Sequence, residues 1–493
     1  MSSVAEADPR GAIRELASRE LRNFVDGEWR EATSGESFDV LDPATGERLT
    51  TYACSSPADV DAAMKSARAA QPAWEQTAAA ERAEALYALA DLARKHAEEL
   101  AALDALDAGK PISASREDEI PGAIDSLRFA AGALRTLNGP SSGPLLGDAT
   151  SIFIREPYGV VAGITPWNFP LLQATVKFAA AVAVGNTMVL KPAEITPLAT
   201  ARMVELAGQV LPPGVLNLVL GTGPVAGEAL ARHREADLLS FTGSVRVGSQ
   251  IGALAGEAVR PSVLELGGNA PVLVFDDVDL EPAIEKIATA GLYNAGQECM
   301  AAARLLVAES RYDDVVAALA ARAARQVLGD SLDAATQLGP LVSADQRDRV
   351  EGKLARRSAE SEIVTGGSRP EGPGYFLEPT VVAGVSAGEE LAAEETFGPV
   401  FTVQPFKSEE EAVALANGTE YGLAASIWTR DLKTALDATR RLEAGFVQVN
   451  QNLVVQPGLS YGGTKQSGLG REASLESMLE HFTHKKTVII NMT

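Results

Sequence analysis

The sequence predicts an α/β protein built on parallel sheets, and three observations carry that prediction. Short apolar runs of strand length at residues 160–164, 187–190, 216–220 and 238–241 alternate with helix-like stretches, which argues right-handed crossovers. A second α/β set opens at residues 271–275 and continues beyond residue 299. At 493 residues the chain is too long for one hydrophobic core, so two or three domains are expected.

Taken in order, residues 59–69 and 80–108 are rich in Ala, Leu and Glu with apolar residues at three- and four-residue spacing, the mark of helices. Gly109-Lys110-Pro111 closes that stretch, and a further helical pattern covers residues 120–137. The Gly- and Pro-rich segment 139–144 reads as a breaker, after which residues 151–154 resume in an extended pattern. Between the first two apolar strands, residues 171–184 form a helix stopped at Gly185. Thr196 is expected to cap the next helix, with Pro197 in its first position. Residues 487–490 form a short β-like strip at the end. The sequence contains neither an internal repeat nor a low-complexity segment.

Composition narrows the function. Hydrophobic residues make up 46% and charged residues 22%, as in ordinary globular proteins. A net charge of −23 disfavours nucleic acid and anionic membranes, and acidity of this kind ordinarily serves solubility. Two cysteines cannot make a disulfide framework, the first 22 residues are charged rather than apolar, and no apolar run has bilayer length. A cytoplasmic protein is expected. No metal ligand set is assigned.

Two strand-to-helix junctions suit a phosphate-bearing ligand. Gly221-Thr-Gly223-Pro-Val-Ala-Gly227 has one residue more than the usual dinucleotide loop, and a plain turn would also explain it. Phe241-Thr-Gly243-Ser244-Val-Arg-Val247-Gly248 places backbone N–H groups and a hydroxyl at a helix start, which suits a pyrophosphate. Lys191-Pro-Ala193-Glu194 leaves a strand at the carboxyl edge, where ligands of open α/β sheets bind. A carboxylate there accepts hydrogen bonds from ribose hydroxyls and repels a 2′-phosphate.

Cys299 lies in Gly-Gln-Glu-Cys-Met-Ala-Ala-Ala-Arg, residues 296–304, with Cys54 as the other cysteine. A free cysteine is usually a small buried hydrophobe, and Cys54 is read that way. Cys299 is different because Pro166-Trp167-Asn168-Phe169-Pro170 and Glu265-Leu266-Gly267-Gly268 accompany it. Together they offer a nucleophile, an amide donor for an oxyanion and a carboxylate base.

In this order the three motifs resemble the NAD(P)-dependent aldehyde dehydrogenase superfamily, with similarity from about Phe24 to the end of the chain. The resemblance implies a Rossmann-like cofactor domain (residues 23–134 and 156–264), an α/β catalytic domain (265–470) and a small β oligomerisation arm (135–155 and 471–493). Residues 1–22 form an N-terminal extension. The family's chemistry implies that Cys299 attacks the aldehyde, that Asn168 and the Cys299 N–H hold the oxyanion, and that Glu265 activates water. Lys177 matches a family lysine of the proton relay. The implied cofactor residues are Ile164, Thr165, Pro166, Trp167, Lys191, Ala193, Glu194, Gly223, Gly227, Phe241, Gly243, Ser244, Val247, Leu266, Gly267, Glu395 and Phe397. Glu194 favours NAD, with NADP the less favoured cofactor. Glu265 also favours release of a free acid over transfer to coenzyme A. A homodimer or homotetramer is implied.

For the aldehyde, the stretches 118–129 and 293–304 look similar to aminoaldehyde dehydrogenases acting on 4-aminobutyraldehyde. Glu298 and Asp118 would give a negative wall for an ammonium group, although both could be solvated acids. Phe169 and Leu453 complete the implied substrate side. Val176 stands where aminoaldehyde enzymes usually carry tryptophan, and Phe169 where they often carry tyrosine, which weakens an aromatic cage. The apolar loop 451–459 suits an aliphatic or aromatic aldehyde. The alternative is a general aliphatic or aromatic aldehyde, betaine aldehyde or succinate semialdehyde dehydrogenase. Outside this chemistry stand a cysteine hydrolase that needs no NAD and a non-catalytic protein of the same fold.

Overall fold

The computed structural model describes residues 9–136, 141–146 and 149–491. Its centre is two large sheets. The first runs in the order Gly468–Leu469, Ser262–Glu265, Leu238–Thr242, Val160–Ile164, Thr187–Lys191, Leu216–Leu218, Asn23–Val25 and Glu28–Arg30. Its five central strands are parallel, and antiparallel strands close both edges. Val160, Val161, Met188, Val189, Leu216 and Leu218 are all buried, because helices cover both faces of the sheet. That is why these strands read as continuous apolar runs without alternation.

The direction of strand addition reverses beside Val160–Ile164. The chain steps from there to Thr187–Lys191 and Leu216–Leu218 on one side, then returns to Leu238–Thr242 and Ser262–Glu265 on the other. Loops leaving the carboxyl ends of Val160–Ile164 and Leu238–Thr242 therefore diverge and leave a crevice, the usual ligand site of open α/β sheets.

The second sheet has the order Glu362–Thr365, Thr380–Ala383, Val400–Phe406, Arg304–Ala308, Pro271–Val274, Ala424–Trp428 and Phe446–Val449, parallel except at its first strand. Residues 266–270 link the carboxyl end of Ser262–Glu265 to the amino end of Pro271–Val274. The carboxyl end of a strand in the first sheet thus meets the amino end of an interior strand of the second in the segment that follows Glu265. A third sheet pairs Thr483–Asn491 with Ala149–Pro157, and Ala149–Pro157 with Ser141–Leu146, all antiparallel.

Several elements differ from the sequence expectation. The helix expected over 80–108 is two, Ala79–Lys95 and Ala97–Ala108, because His96 leaves helical geometry at φ −105° and ψ 16°. Within the expected breaker 139–144, residues 141–144 belong to the strand Ser141–Leu146, while 139 and 140 lie outside the described residues. Thr196 does not cap the helix Leu198–Ala207; Pro197 occupies the cap position without a side-chain bond. Asp107 supplies the acceptor instead, its Oδ2 taking the Leu198 N–H at 2.8 Å, so the first turn is satisfied from another helix. Among the described residues no helix is long and apolar enough to cross a membrane.

Candidate active site

The helix Leu280–Leu292 leads into a turn whose backbone turns left-handed at Asn294, Ala295 and Gly296, with φ of +50°, +56° and +70°. Such a run is costly for residues with a Cβ and persists only where the surroundings impose it. A Cβ at Gly296 would collide with the Gly398 carbonyl, and one at Gly268 with the Cys299 carbonyl. The Gln297 side chain pins the turn from inside, donating to the Asn294 carbonyl at 3.0 Å and accepting the Val342 N–H at 2.9 Å. Cys299 follows, half-buried.

The Cys299 thiol points at Glu298 Oε1, 3.3 Å away, and Tyr461 Oη lies 3.1 Å from Sγ. Burial pushes this thiol well above its usual range, the neighbouring Glu298 adds to the rise, and the Tyr461 bond opposes it. Asn168 is buried, donates from Nδ2 to the Gln297 carbonyl at 3.0 Å, and accepts at its own carbonyl from Asn294 Nδ2 at 3.0 Å. Asn168 and the cysteine turn are thus locked together.

Glu265 is buried, and neither carboxylate oxygen meets a hydrogen-bond donor among the described residues. Burial, then the nearby Glu472, push its carboxyl well above the ordinary carboxylate range, against the pull of Lys177 and Arg471. Lys177, fully buried, pairs with Glu472 Oε1 at 2.7 Å. The segment starting at Tyr461 joins the two halves: Tyr461 touches Cys299, and a Cβ at Gly462 would stand 2.7 Å from Glu265 Oε1.

The structure gathers the expected cofactor residues along the crevice. Lys191 Nζ reaches Glu194 Oε2 at 3.2 Å, and Glu194 Oε1 faces the Gly223 N–H at 3.4 Å. A Cβ at Gly227 would rest 3.5 Å from Lys191 Cδ. Ala193 is buried beside them, and Thr165 follows Ile164 into the loop with its N–H on the Lys191 carbonyl at 3.1 Å. Ser244 caps the helix Val245–Glu257, its hydroxyl accepting from the Val247 N–H at 3.4 Å. A Cβ at Gly243 would crowd the Phe241 ring at 2.6 Å, and one at Gly248 would collide with Leu266. Trp167, after Pro166, meets Phe397 edge-on with centroids 5.1 Å apart. Glu395 Oε1 accepts the Gly268 N–H at 2.9 Å, and only a glycine at 267 leaves room for that carboxyl. Burial pushes Glu395 up to about 8.

On the other side, Phe169 stacks on Tyr293 with centroids 6.1 Å apart, and Lys110 Nζ lies 4.3 Å from the Phe169 ring centre. The Tyr293 hydroxyl donates to Asp118 Oδ2 at 2.9 Å, on the surface. Leu453, with φ +55°, packs beside Cys299, Met300 and Tyr461. Glu298, expected as part of a negative wall with a solvated acid as the alternative, is half-buried. Its carboxyl folds onto the cysteine and accepts the Met300 N–H at 3.2 Å, and burial pushes it up.

The model of the aldehyde dehydrogenase family matches residues 29–488. The chain belongs to the aldehyde dehydrogenase family. It is 41% identical over 478 residues to the NADP/NAD-dependent aldehyde dehydrogenase PuuC of Escherichia coli, covering 96% of each. It is also 41% identical over 478 residues to a phenylacetaldehyde dehydrogenase of Pseudomonas fluorescens, covering 95% of each. A betaine aldehyde dehydrogenase of Staphylococcus aureus, solved in complex with NAD+, superposes with a TM-score of 0.95 at 36% identity, covering 98% of this chain and 97% of the other.

Sequence reasoning missed Tyr461, Arg471 and Glu472 in this aldehyde dehydrogenase. All three lie in one run, residues 461–472, where glycines at 462, 463, 468 and 470 surround a tyrosine and an Arg-Glu pair. That clustering was the available signal, since glycines mark close backbone approach. Gly296→Ala should disturb the nucleophile turn more than the fold. Thermal unfolding is expected to fall by only a few degrees while alkylation of Cys299 changes several-fold; unaltered alkylation would show that the turn does not set the thiol's position.

Proposed function

We propose that this aldehyde dehydrogenase oxidises its substrate to a free carboxylic acid with NAD, by way of an acyl group held on Cys299. The observation that carries the reading is the convergence of three groups: Asn168 bonded to the Gln297 carbonyl, Cys299 two residues further, and Glu265 behind Gly462. The residues of the crevice fit a dinucleotide. The start of the helix Val245–Glu257 offers N–H groups for a pyrophosphate, open space surrounds Gly223, and the half-buried Glu194 carboxylate suits ribose hydroxyls. Glu194 favours NAD over NADP, and Glu395 would hold the second ribose. Bound NAD supplies the hydride acceptor.

The remaining work falls to the chain. Cys299 adds to the carbonyl carbon, and the oxyanion is held by the Asn168 amide and the Cys299 N–H, an arrangement in which one donor contributes about 10²–10³ in rate. Asn168 keeps a free N–H for that purpose, since an amide has two and Gln297 takes one. After the substrate's hydride has left, a thioester remains on Sγ. Glu265 then takes a proton from water, and the Lys177–Glu472 pair carries it away.

Cys299→Ala should abolish turnover and spare NAD binding measured by fluorescence titration; normal turnover would remove the nucleophile. Glu265→Gln should keep a rapid first turnover and slow hydrolysis about 10²-fold or more. The base is active when ionised, and burial raises its pKa. Deacylation should therefore still rise with pH above the range in which an ordinary carboxylate is already ionised. A flat profile there would indicate an ordinary carboxylate.

The substrate class we favour is ω-aminoaldehydes such as 4-aminobutyraldehyde. Asp118, bonded to the hydroxyl of Tyr293, whose ring stacks on Phe169, supports it, because an acid fixed at the end of an aromatic pair suits an ammonium group. A specific observation supports a second reading, a neutral aldehyde: Val454, Val455 and Leu459 stand exposed in the loop beyond Leu453. The relatives named for phenylacetaldehyde and betaine aldehyde divide along the same line. A panel of amino-bearing and neutral aldehydes compared by kcat/KM separates them. Asp118→Asn should cost the amino substrates about ten-fold and the neutral ones little; equal losses would count against the ammonium site.

We also assign residues 135–155 and 471–493 to an arm that binds a second copy of the chain. Phe153, Ile154, Ile489 and Ile490 are exposed on that sheet, an apolar surface that a partner would cover. Light scattering should give a dimer or tetramer, and Ile489→Asp should shift it to smaller species; a monomeric wild type would refute the arm.

A further inference from the structure

The thiol of Cys299 sits between two groups that the reaction as proposed above does not use. Its proton points at Glu298 Oε1, 3.3 Å away. With that proton so directed, Sγ is the acceptor for the Tyr461 hydroxyl at 3.1 Å. Tyr461 is itself buried, and its hydroxyl faces the sulfur where water would otherwise solvate a thiolate. Glu298 is fixed from a second direction by the Met300 N–H, so its position does not depend on the thiol. Glu265 makes no hydrogen bond to Cys299.

We propose that Glu298 is the base that removes the Cys299 proton and that Tyr461 is the donor that holds the resulting thiolate, leaving Glu265 to the hydrolytic step. The inference rests on Cys299 being the nucleophile. In the step, the S–H bond breaks and its proton passes to Glu298 Oε1. The sulfur lone pair forms the S–C bond with the aldehyde carbonyl carbon, and the carbonyl π pair moves onto oxygen. Nothing is oxidised or reduced. Tyr461 keeps its proton throughout and strengthens its bond as charge gathers on sulfur.

The surroundings suit that division. Burial raises the Glu298 carboxyl, which brings its basicity toward that of a thiol. The charged or titratable groups facing Glu298 are Cys299, Lys110, Tyr293, Tyr461 and Glu395; those facing Cys299 are Glu298, Tyr461 and Glu395. Only Lys110 among them is cationic. The sulfur anion thus gains stabilisation mainly from a hydrogen bond, and removing the phenol hydroxyl should be felt directly.

The test uses the intact enzyme and reads the thiol apart from turnover. Alkylation of Cys299 by iodoacetamide is followed by peptide mass across pH 6–10. Tyr461→Phe should move the alkylation midpoint upward by about one pH unit, a roughly ten-fold slower reaction at neutral pH. Glu298→Gln should slow the pre-steady-state burst of NADH about 10²-fold, and Glu298→Asp should restore part of it. NAD affinity by fluorescence should hold in all three variants. An unmoved midpoint in Tyr461→Phe, or an undiminished burst in Glu298→Gln, overturns the proposal. Retained turnover in Cys299→Ala would instead overturn the nucleophile on which it stands.

Discussion

Everything in the site depends on a backbone constraint, the left-handed run Asn294–Ala295–Gly296 wedged against Gly398. It ends the helix Leu280–Leu292 abruptly and turns the chain so that Cys299 emerges beside the Tyr461 hydroxyl. Gly268 lets the Cys299 carbonyl pass where any side chain would block it. Asn294 also binds the Asn168 carbonyl, so the same turn that aims the sulfur fixes the loop bearing the amide. Strain of this kind survives only because Gln297, Val342 and Gly398 surround it on several sides.

A second constraint is electrostatic. Glu265, Glu298, Glu395 and Glu472 share one small region, with Lys177 and Arg471 acting on Glu265, Lys110 on Glu298 and Lys353 on Glu395. Packed carboxyls in a dry place cannot all ionise, and burial raises three of them: Glu265, Glu298 and Glu395. Their environments differ all the same. Glu265 meets no donor, Glu298 accepts a thiol and one N–H, and Glu395 accepts the Gly268 N–H. Distinct surroundings give chemically similar groups distinct tasks.

Much of this could be read from the sequence, for identifiable reasons. The parallel strands were legible because burial on both faces makes each a short apolar run, as at Val160–Ile164 and Thr187–Lys191. Cys299, Asn168 and Glu265 were legible as motifs because each stands among glycines, prolines or aromatics that mark unusual backbone. What the sequence concealed was long-range. Asp107 caps a helix 91 positions away, which no local pattern around Thr196 reveals. Tyr461 reaches Cys299 across 162 positions, and Lys177 pairs with Glu472 across 295. Glu298 was visible as a charge, but the sequence did not show that the turn folds it back onto Cys299 and the Met300 N–H.

The meeting of the carboxyl end of one sheet with the amino end of the other explains why such distant residues converge. The loop leaving the carboxyl end of Val160–Ile164 brings Asn168, the strand Ser262–Glu265 ends on Glu265 itself, and the turn entering the amino end of Arg304–Ala308 brings Cys299. The short strand Gly468–Leu469 then pairs with Ser262–Glu265, with Leu469 opposite Leu264 and Gly468 opposite Glu265. That pairing fixes the segment beginning at Tyr461 against both the base and the nucleophile. A reactive group on a free loop would wander by more than a bond length. Here each is at most a few residues from a buried strand, so the rigid sheets hold the distances between them.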